Sequence, residues 1–256
     1  MSWERSIVIK TPQEIAVQRE AGRINALALN AIQEQIRPGV TTRELDAVAA
    51  EVIRSHHGKP AFLGVPGAYP YPATITISLN DELVHGIPGK RKLNEGDIVS
   101  VDCGTIFEGF VGDSAFTAGV GEISQEAQDL IEVTRQALSI GIDKLRPGNR
   151  VGDVGAAIQE FVEGKGYYLT RQYTGHGVGR EMWEGPQVPN YGKPGRGIPF
   201  RPGMVIAIEP MVLIGTEQTR VLPDQWTVAS ADGSLTAHFE HSIAITEGDP
   251  LILTVP

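Results

Sequence analysis

Four carboxylates and two histidines of this chain stand where chemistry is possible. Asp102 and Asp113 flank the short stretch Phe107-Glu108-Gly109. A hairpin that turns between Phe107 and Glu108 sets the two aspartates directly opposite each other. Opposed residues of an antiparallel pair have β-carbons about 4.5–5.5 Å apart. Two bare carboxylates that close repel, and the pair becomes favourable when cations sit between them. Ser100 and Ala115, on the same face, are small enough to leave room for ions. The alternative is a solvated hairpin that happens to carry two acids. Against it, Val99, Val101, Phe110, Val111 and Phe116 read as buried strand. A buried acid needs a partner, and Arg135 is the only basic residue between Leu93 and Ala137.

Glu209 closes the apolar run Met204–Ile208, so the same reasoning applies to it more strongly. Glu240 lies in Ala237–Ile243, another strand-like segment, between His238 and His241. Those two histidines read equally well as packing residues or as supports of a site. His85, in Leu83-Val84-His85-Gly86-Ile87-Pro88, and His176, in Gly175-His176-Gly177-Val178-Gly179-Arg180, lie in glycine-bounded loops. Such loops let backbone approach a ligand closely. His56 and His57 close a helix, where a cation suits the dipole and no function is needed. Four buried acids with two loop histidines point to divalent metal.

The elements that must position these groups are written twice. Thr11, Pro12 and Glu14 make an N-cap, a first-turn proline and a capping-box acid. The helix they start keeps Val17, Ala21, Ile24, Ala28 and Ala31 on one face and stops at Pro38-Gly39. A second helix begins at Thr41 with Glu44 and shows the stripe Leu45, Val48, Ala49, Val52, Ile53. Arg37-Pro38-Gly39 recurs as Arg146-Pro147-Gly148, after a helix expected from about Gln125 to Leu145. The same offset carries the stripe onto Val154, Ala157, Ile158, Phe161 and Val162. Gly96–Asp102 likewise resembles Gly203–Glu209, each run ending on an acid. Two matches in one order suggest a duplication. The pseudo-repeats span roughly 11–120 and 121–250, and their helices should cover one side of a curved, mostly antiparallel sheet. The site should lie where the halves meet.

A length of 256 residues with 41% hydrophobic content suits one compact core, so a single catalytic domain over 1–256 is expected. The net charge of −9 argues against nucleic acid as a partner. A lone cysteine, Cys103, excludes a disulfide framework within the chain and suits a reducing, cytoplasmic setting. The apolar run Val205–Ile214 is interrupted by Glu209 and Pro210, so no membrane span is expected. Nor does Met1–Arg5 open a signal peptide.

The motifs Asn80–Pro88, Val101-Asp102-Cys103-Gly104, Gly112-Asp113-Ser114, Gly175–Arg180, Ile208-Glu209-Pro210-Met211 and Phe239-Glu240-His241 resemble, in this order, the type I methionine aminopeptidases of bacteria. Their wider relatives are the pita-bread metallopeptidases, which include prolidase and aminopeptidase P. The resemblance implies an α+β pita-bread fold and no separate N-terminal domain. It implies two divalent ions (Co, Mn, Fe or Zn) on Asp102, Asp113, His176, Glu209 and Glu240, with Asp113 and Glu240 bridging. It also implies a metallo-aminopeptidase that removes the N-terminal methionine from peptides and nascent chains with a small second residue. A hydroxide bridging the ions would attack, Glu209 would move the proton, and His85 would hold the scissile amide. The partners implied are peptide N-termini, with the ribosome beside them when nascent chains are the substrate, and a monomer is expected.

One position departs from that pattern. Trp183 stands where the family has a second histidine, which touches the substrate carbonyl. Tryptophan offers one donor and cannot accept a hydrogen bond or carry charge. By the same resemblance Tyr71, Thr76, Met182 and Trp226 line the side-chain pocket, where the family often has cysteine at 76 and an aromatic at 182. Two alternatives follow: a catalytically impaired binding protein, or an aminopeptidase with altered first-residue preference.

Overall fold

The computed structural model describes residues 7–256. Met1–Arg5, from which no leader is expected, lies outside them. Four helices carry the outer layer: α1 (Pro12–Gln33), α2 (Thr42–Ser55), α3 (Gln125–Asp143) and α4 (Val151–Gly164). Both expected capping boxes form. Thr11 accepts from the Glu14 N–H while Glu14 accepts from the Thr11 N–H, and Thr41 and Glu44 do the same. Each satisfies two backbone donors that a helix start otherwise leaves open, worth about 1 kcal/mol per cap.

The stripes of α2 and α4 bury alike. Leu45, Ala49 and Ile53 are fully buried, as are Val154, Ile158 and Val162 in the second pair. Just before each helix the chain makes a matching contact: Thr41 bridges Lys92, and Arg150 bridges Pro199. The face of α1 differs from the expectation. Val17 and Ala31 are only partly covered, whereas polar Gln18 and Asn25 are fully buried. Both side chains find hydrogen-bond partners on the strands beneath, which outweighs their polarity.

All pairings between strands of the described residues are antiparallel. In the first half the long strand Ile98–Phe107 pairs with Phe110–Gly119 on one side and with Ile75–Leu79 on the other. In the second half Val205–Ile208 lies between Gly175–Gly177 and His241–Ala244. Side chains alternate across each sheet. Val99, Val101 and Cys103 turn towards α1 and α2 and join one core. Ile206 and Ile208 turn towards α3 and α4 and join another. The opposite faces of the two sheets, with Val111, Val205 and Ala207, share a third core at the seam. Asp102 and Glu209 therefore leave their strands on the faces turned away from the helices.

Candidate metal centre and its cavity

The hairpin that carries two of the acids turns on Glu108 and Gly109, at φ +46° and +79°. Two adjacent left-handed residues make the two-residue turn that suits strand twist, and glycine takes its second position without strain. A turn centred one place earlier would push bulky Phe107 into the left-handed region. Phe107 pairs with Phe110 instead. The register that follows corrects the expected direct opposition of Asp102 and Asp113. Asp102 faces Ala115, and Asp113 faces Gly104. The two aspartates are diagonal neighbours on one face, and Asp102 sits in mid-strand rather than at its end.

The directly opposed acids lie in the second half. Val205–Ile208 pairs with His241–Ala244 as far as Ile208↔His241, and Met211–Leu213 pairs with Thr236–His238 from Met211↔His238 onwards. Between these paired stretches, the Phe239 N–H donates to the Pro210 carbonyl. The register on both sides places Glu209 opposite Glu240. Pro210 has no N–H to give a ladder, and the strand breaks there.

The two halves are sewn together beside these acids. Ala115 and Glu240 exchange backbone hydrogen bonds at 3.2 and 3.0 Å. Ser242 Oγ accepts from the Asp113 N–H at 3.1 Å and donates to the Asp113 carbonyl at 2.8 Å. His176, on Gly175–Gly177 beside Ala207, brings its Nε2 to 3.5 Å from Glu209 and 3.9 Å from Asp113. One ligand-type atom each from Asp113, His176 and Glu240 lies within 4.8 Å of the others.

The electrostatics of the cluster are costly without a cation. Burial raises Asp113 to about 7. Burial and then the neighbouring carboxylates hold Asp102, Glu209 and Glu240 well above the usual range. Asp102 Oδ1, Asp113 Oδ1 and Glu240 Oε1 are buried without a hydrogen-bond partner. No lysine or arginine lines the space they face. Burial lowers His176 to about 4, so the ring is neutral. Its Nδ1 lies 3.0 Å from the Gly177 carbonyl. Donation there leaves a lone pair on Nε2, as a metal ligand requires. Orphaned carboxylate oxygens beside an imidazole lone pair fit a divalent cation.

These groups open onto one cavity. Every site residue expected from the sequence lines it: Tyr71, Thr76, His85, Asp102, Asp113, His176, Met182, Trp183, Glu209, Trp226 and Glu240. Phe62 and Val65 line it too, and sequence reasoning missed them. They lie in a loop between α2 and Ile75–Leu79 with no strand or helix periodicity to mark an inward face. Tyr71 packs edge-on against Trp226, and its hydroxyl lies within 3.0 Å of the Ile75 and Gly86 carbonyls. His85 takes φ +62°, an uncommon conformation for a residue with a side chain. Burial holds its imidazole below the ordinary histidine range. Trp183 stands half exposed, with 50% of its surface open.

The sequence profile of metallopeptidase family M24 matches residues 16–247. A methionine aminopeptidase of Clostridium acetobutylicum is 48% identical over 250 residues, 97% of this chain and 99% of that protein. The crystal structure of a methionine aminopeptidase from Thermotoga maritima superposes with a TM-score of 0.95 at 46% identity, covering 98% of this chain and all of the other. The prolidase of Pyrococcus furiosus shares the fold at a TM-score of 0.79 and 24% identity, with this chain covering 66% of it.

Proposed function

This chain belongs to metallopeptidase family M24, and we propose that it removes methionine from the N-termini of peptides and nascent chains whose second residue is small. What supports this above all is one cavity that joins five ligand-type side chains to an apolar slot. Among the described residues, no helix is long and apolar enough to cross a membrane.

Asp102, Asp113, His176, Glu209 and Glu240 would hold two divalent ions. Mixed oxygen and imidazole donors suit Mn, Fe, Co or Zn. Bound there, the ions would supply an acidified water and a Lewis acid for the scissile carbonyl. The chain's own residues do the rest. Phe62, Val65, Tyr71, Met182 and Trp226 exclude water around an unbranched thioether side chain, and aromatic edges attract its sulfur. His85, neutral in the working range, donates to the scissile amide. The Glu209 carboxylate takes the attacking water's proton and delivers it to the leaving amine nitrogen. The indole N–H of Trp183 is the single donor its position offers.

Glu209→Gln is the test. We expect the variant to stay folded and to lose at least about 10²-fold in turnover on Met-Ala-type peptides. Undiminished turnover overturns the assigned role. Release of methionine that survives a chelator overturns the metal reading.

A further inference from the structure

We propose that the buried ion pair of Lys10 and Glu184 is a positioning device for the outer wall of the cavity, and that it governs which first residue the site accepts. The inference rests on the aminopeptidase reading above and deepens it.

Lys10 Nζ meets Glu184 Oε2 at 2.5 Å, and the side chains are only 2% and 6% exposed. The other carboxylate oxygen, Oε1, accepts from the backbone N–H groups of Arg180 at 2.9 Å and Glu181 at 3.4 Å. One carboxylate thus closes the loop it terminates. Gly179 leaves no space behind it, since a β-carbon there would stand 2.5 Å from Lys10 Cε. The Gly179 carbonyl in turn accepts from the Val111 N–H at 2.8 Å, on the strand that carries Asp113.

Lys10 is itself fixed. Its N–H donates to the Gly203 carbonyl at 2.8 Å, just ahead of the strand that leads into Glu209. The next residue, Thr11, caps α1. The loop is therefore referenced to the same framework as the acids, through a charge pair rather than through greasy contact. A buried pair is a poor source of stability, and apolar residues of like volume often replace it without loss. What it adds is direction.

The loop places two cavity residues, Met182 and Trp183. Met182 reaches the floor, where its Cε lies close enough to Gly104 to forbid a β-carbon there. Trp183 is half exposed and is carried by the same loop. A wall that shifts by an ångström changes the fit of the first side chain while leaving the acids where they are.

The test is the double variant Lys10→Met/Glu184→Gln. It removes both charges and keeps the Oε1 acceptor for the Arg180 and Glu181 N–H groups. We expect metal content and kcat on a Met-Ala-Ser peptide close to those of the parent. We expect KM to rise about tenfold, and preference for methionine over leucine as first residue to narrow about tenfold. A second readout needs no catalysis. In a Trp3→Phe/Trp226→Phe background, acrylamide should quench Trp183 fluorescence more strongly once the pair is removed. A folded double variant with parental KM, preference and quenching overturns the proposal. If the double variant does not fold, Glu184→Asp, which keeps the charges and retracts the carboxylate, is read in the same way. If the parent itself releases no methionine, the aminopeptidase reading fails and the first-residue claim falls with it, while quenching still decides whether the pair positions the wall.

Discussion

Glu209 faces Glu240 across the break that Pro210 makes between two antiparallel ladders, and both point into the cavity that holds Asp102 and Asp113. Each half thus brings a pair of acids, one pair directly opposed and the other diagonal. Neither pair has a lysine or arginine in the cavity wall to balance it.

That imbalance predicts how the metal-free protein responds to pH. Asp113 moves from an ordinary 3.8 up to about 7, and the other three acids move in the same direction. Across that window these four acids hold more protons in the folded chain than in the unfolded one, while burial of His85, His176, His238 and His241 does the opposite below their ordinary value of 6.5. The two sets oppose each other at lower pH; above about pH 6.5, where the histidines are neutral in both states, the acids make stability of the metal-free protein fall as pH rises. With Mn present the trend reverses, because deprotonated ligands bind the ion and binding favours the folded state. Thermal melts at several pH values, with chelator and with Mn, check both trends. A chelated protein whose midpoint climbs above about pH 6.5 contradicts the assignment.

Gly104 is the residue that makes room opposite Asp113. A β-carbon there would lie 2.7 Å from Met182 Cε, 2.9 Å from Ala61 Cβ and 3.0 Å from Phe62 Cε1. Gly104→Ala should cost about 1–3 kcal/mol in urea unfolding, as overpacking does. It should also raise KM more than it lowers kcat, because it narrows the apolar wall and touches no ligand. A loss confined to kcat would place the strain at the acids instead.

Trp183→His should raise turnover. An imidazole can donate and can carry charge, whereas the indole offers one neutral N–H. A hydrogen bond to a charged group is worth about 1.5–3 kcal/mol, so a gain of about 10–100-fold in kcat is expected if Trp183 leaves the developing oxyanion short of a donor. Steady-state kinetics on Met-Ala-type peptides read it directly. Unchanged kcat would mean that another group already serves.

Much of this was legible in the sequence because the signals are local. Capping boxes named the starts of α1 and α2, and apolar runs named the strands that carry the acids. His85 lies in a loop as expected, whereas His176 stands on the strand Gly175–Gly177, paired on both sides, rather than in a loop. The hairpin register was misjudged because the turn was centred by symmetry between the aspartates. The conformational demand on Glu108-Gly109 decides it instead. Phe62 and Val65 lay in an irregular loop without periodicity. Gln18 and the Lys10–Glu184 pair were invisible because their partners are 93, 160 and 174 residues away. Nothing near Gln18 in the chain marks it as buried.

Gln18 links the two halves beside the acids. It is fully buried, and its amide donates to the Val111 carbonyl at 2.9 Å and to the Val178 carbonyl at 3.2 Å. Val111 stands two residues before Asp113, and Val178 two after His176. One amide thus ties the strand of one acid to the strand of the imidazole. Two helical turns on, Asn25 donates to Ser114 and accepts from Thr105, which braces the same hairpin. Gln18→Leu fills a similar volume but leaves two carbonyls without donors, at about 1–3 kcal/mol each. We expect a stability loss of that order. We also expect Mn affinity to weaken by about 10–100-fold, as when a group that orients ligands is lost. Calorimetric titration of the metal-free variant with Mn, below its unfolding temperature, measures this without any assay of activity. Parental affinity in a folded but less stable variant would show that Gln18 holds the helix to the sheet and leaves ligand spacing to the strands themselves.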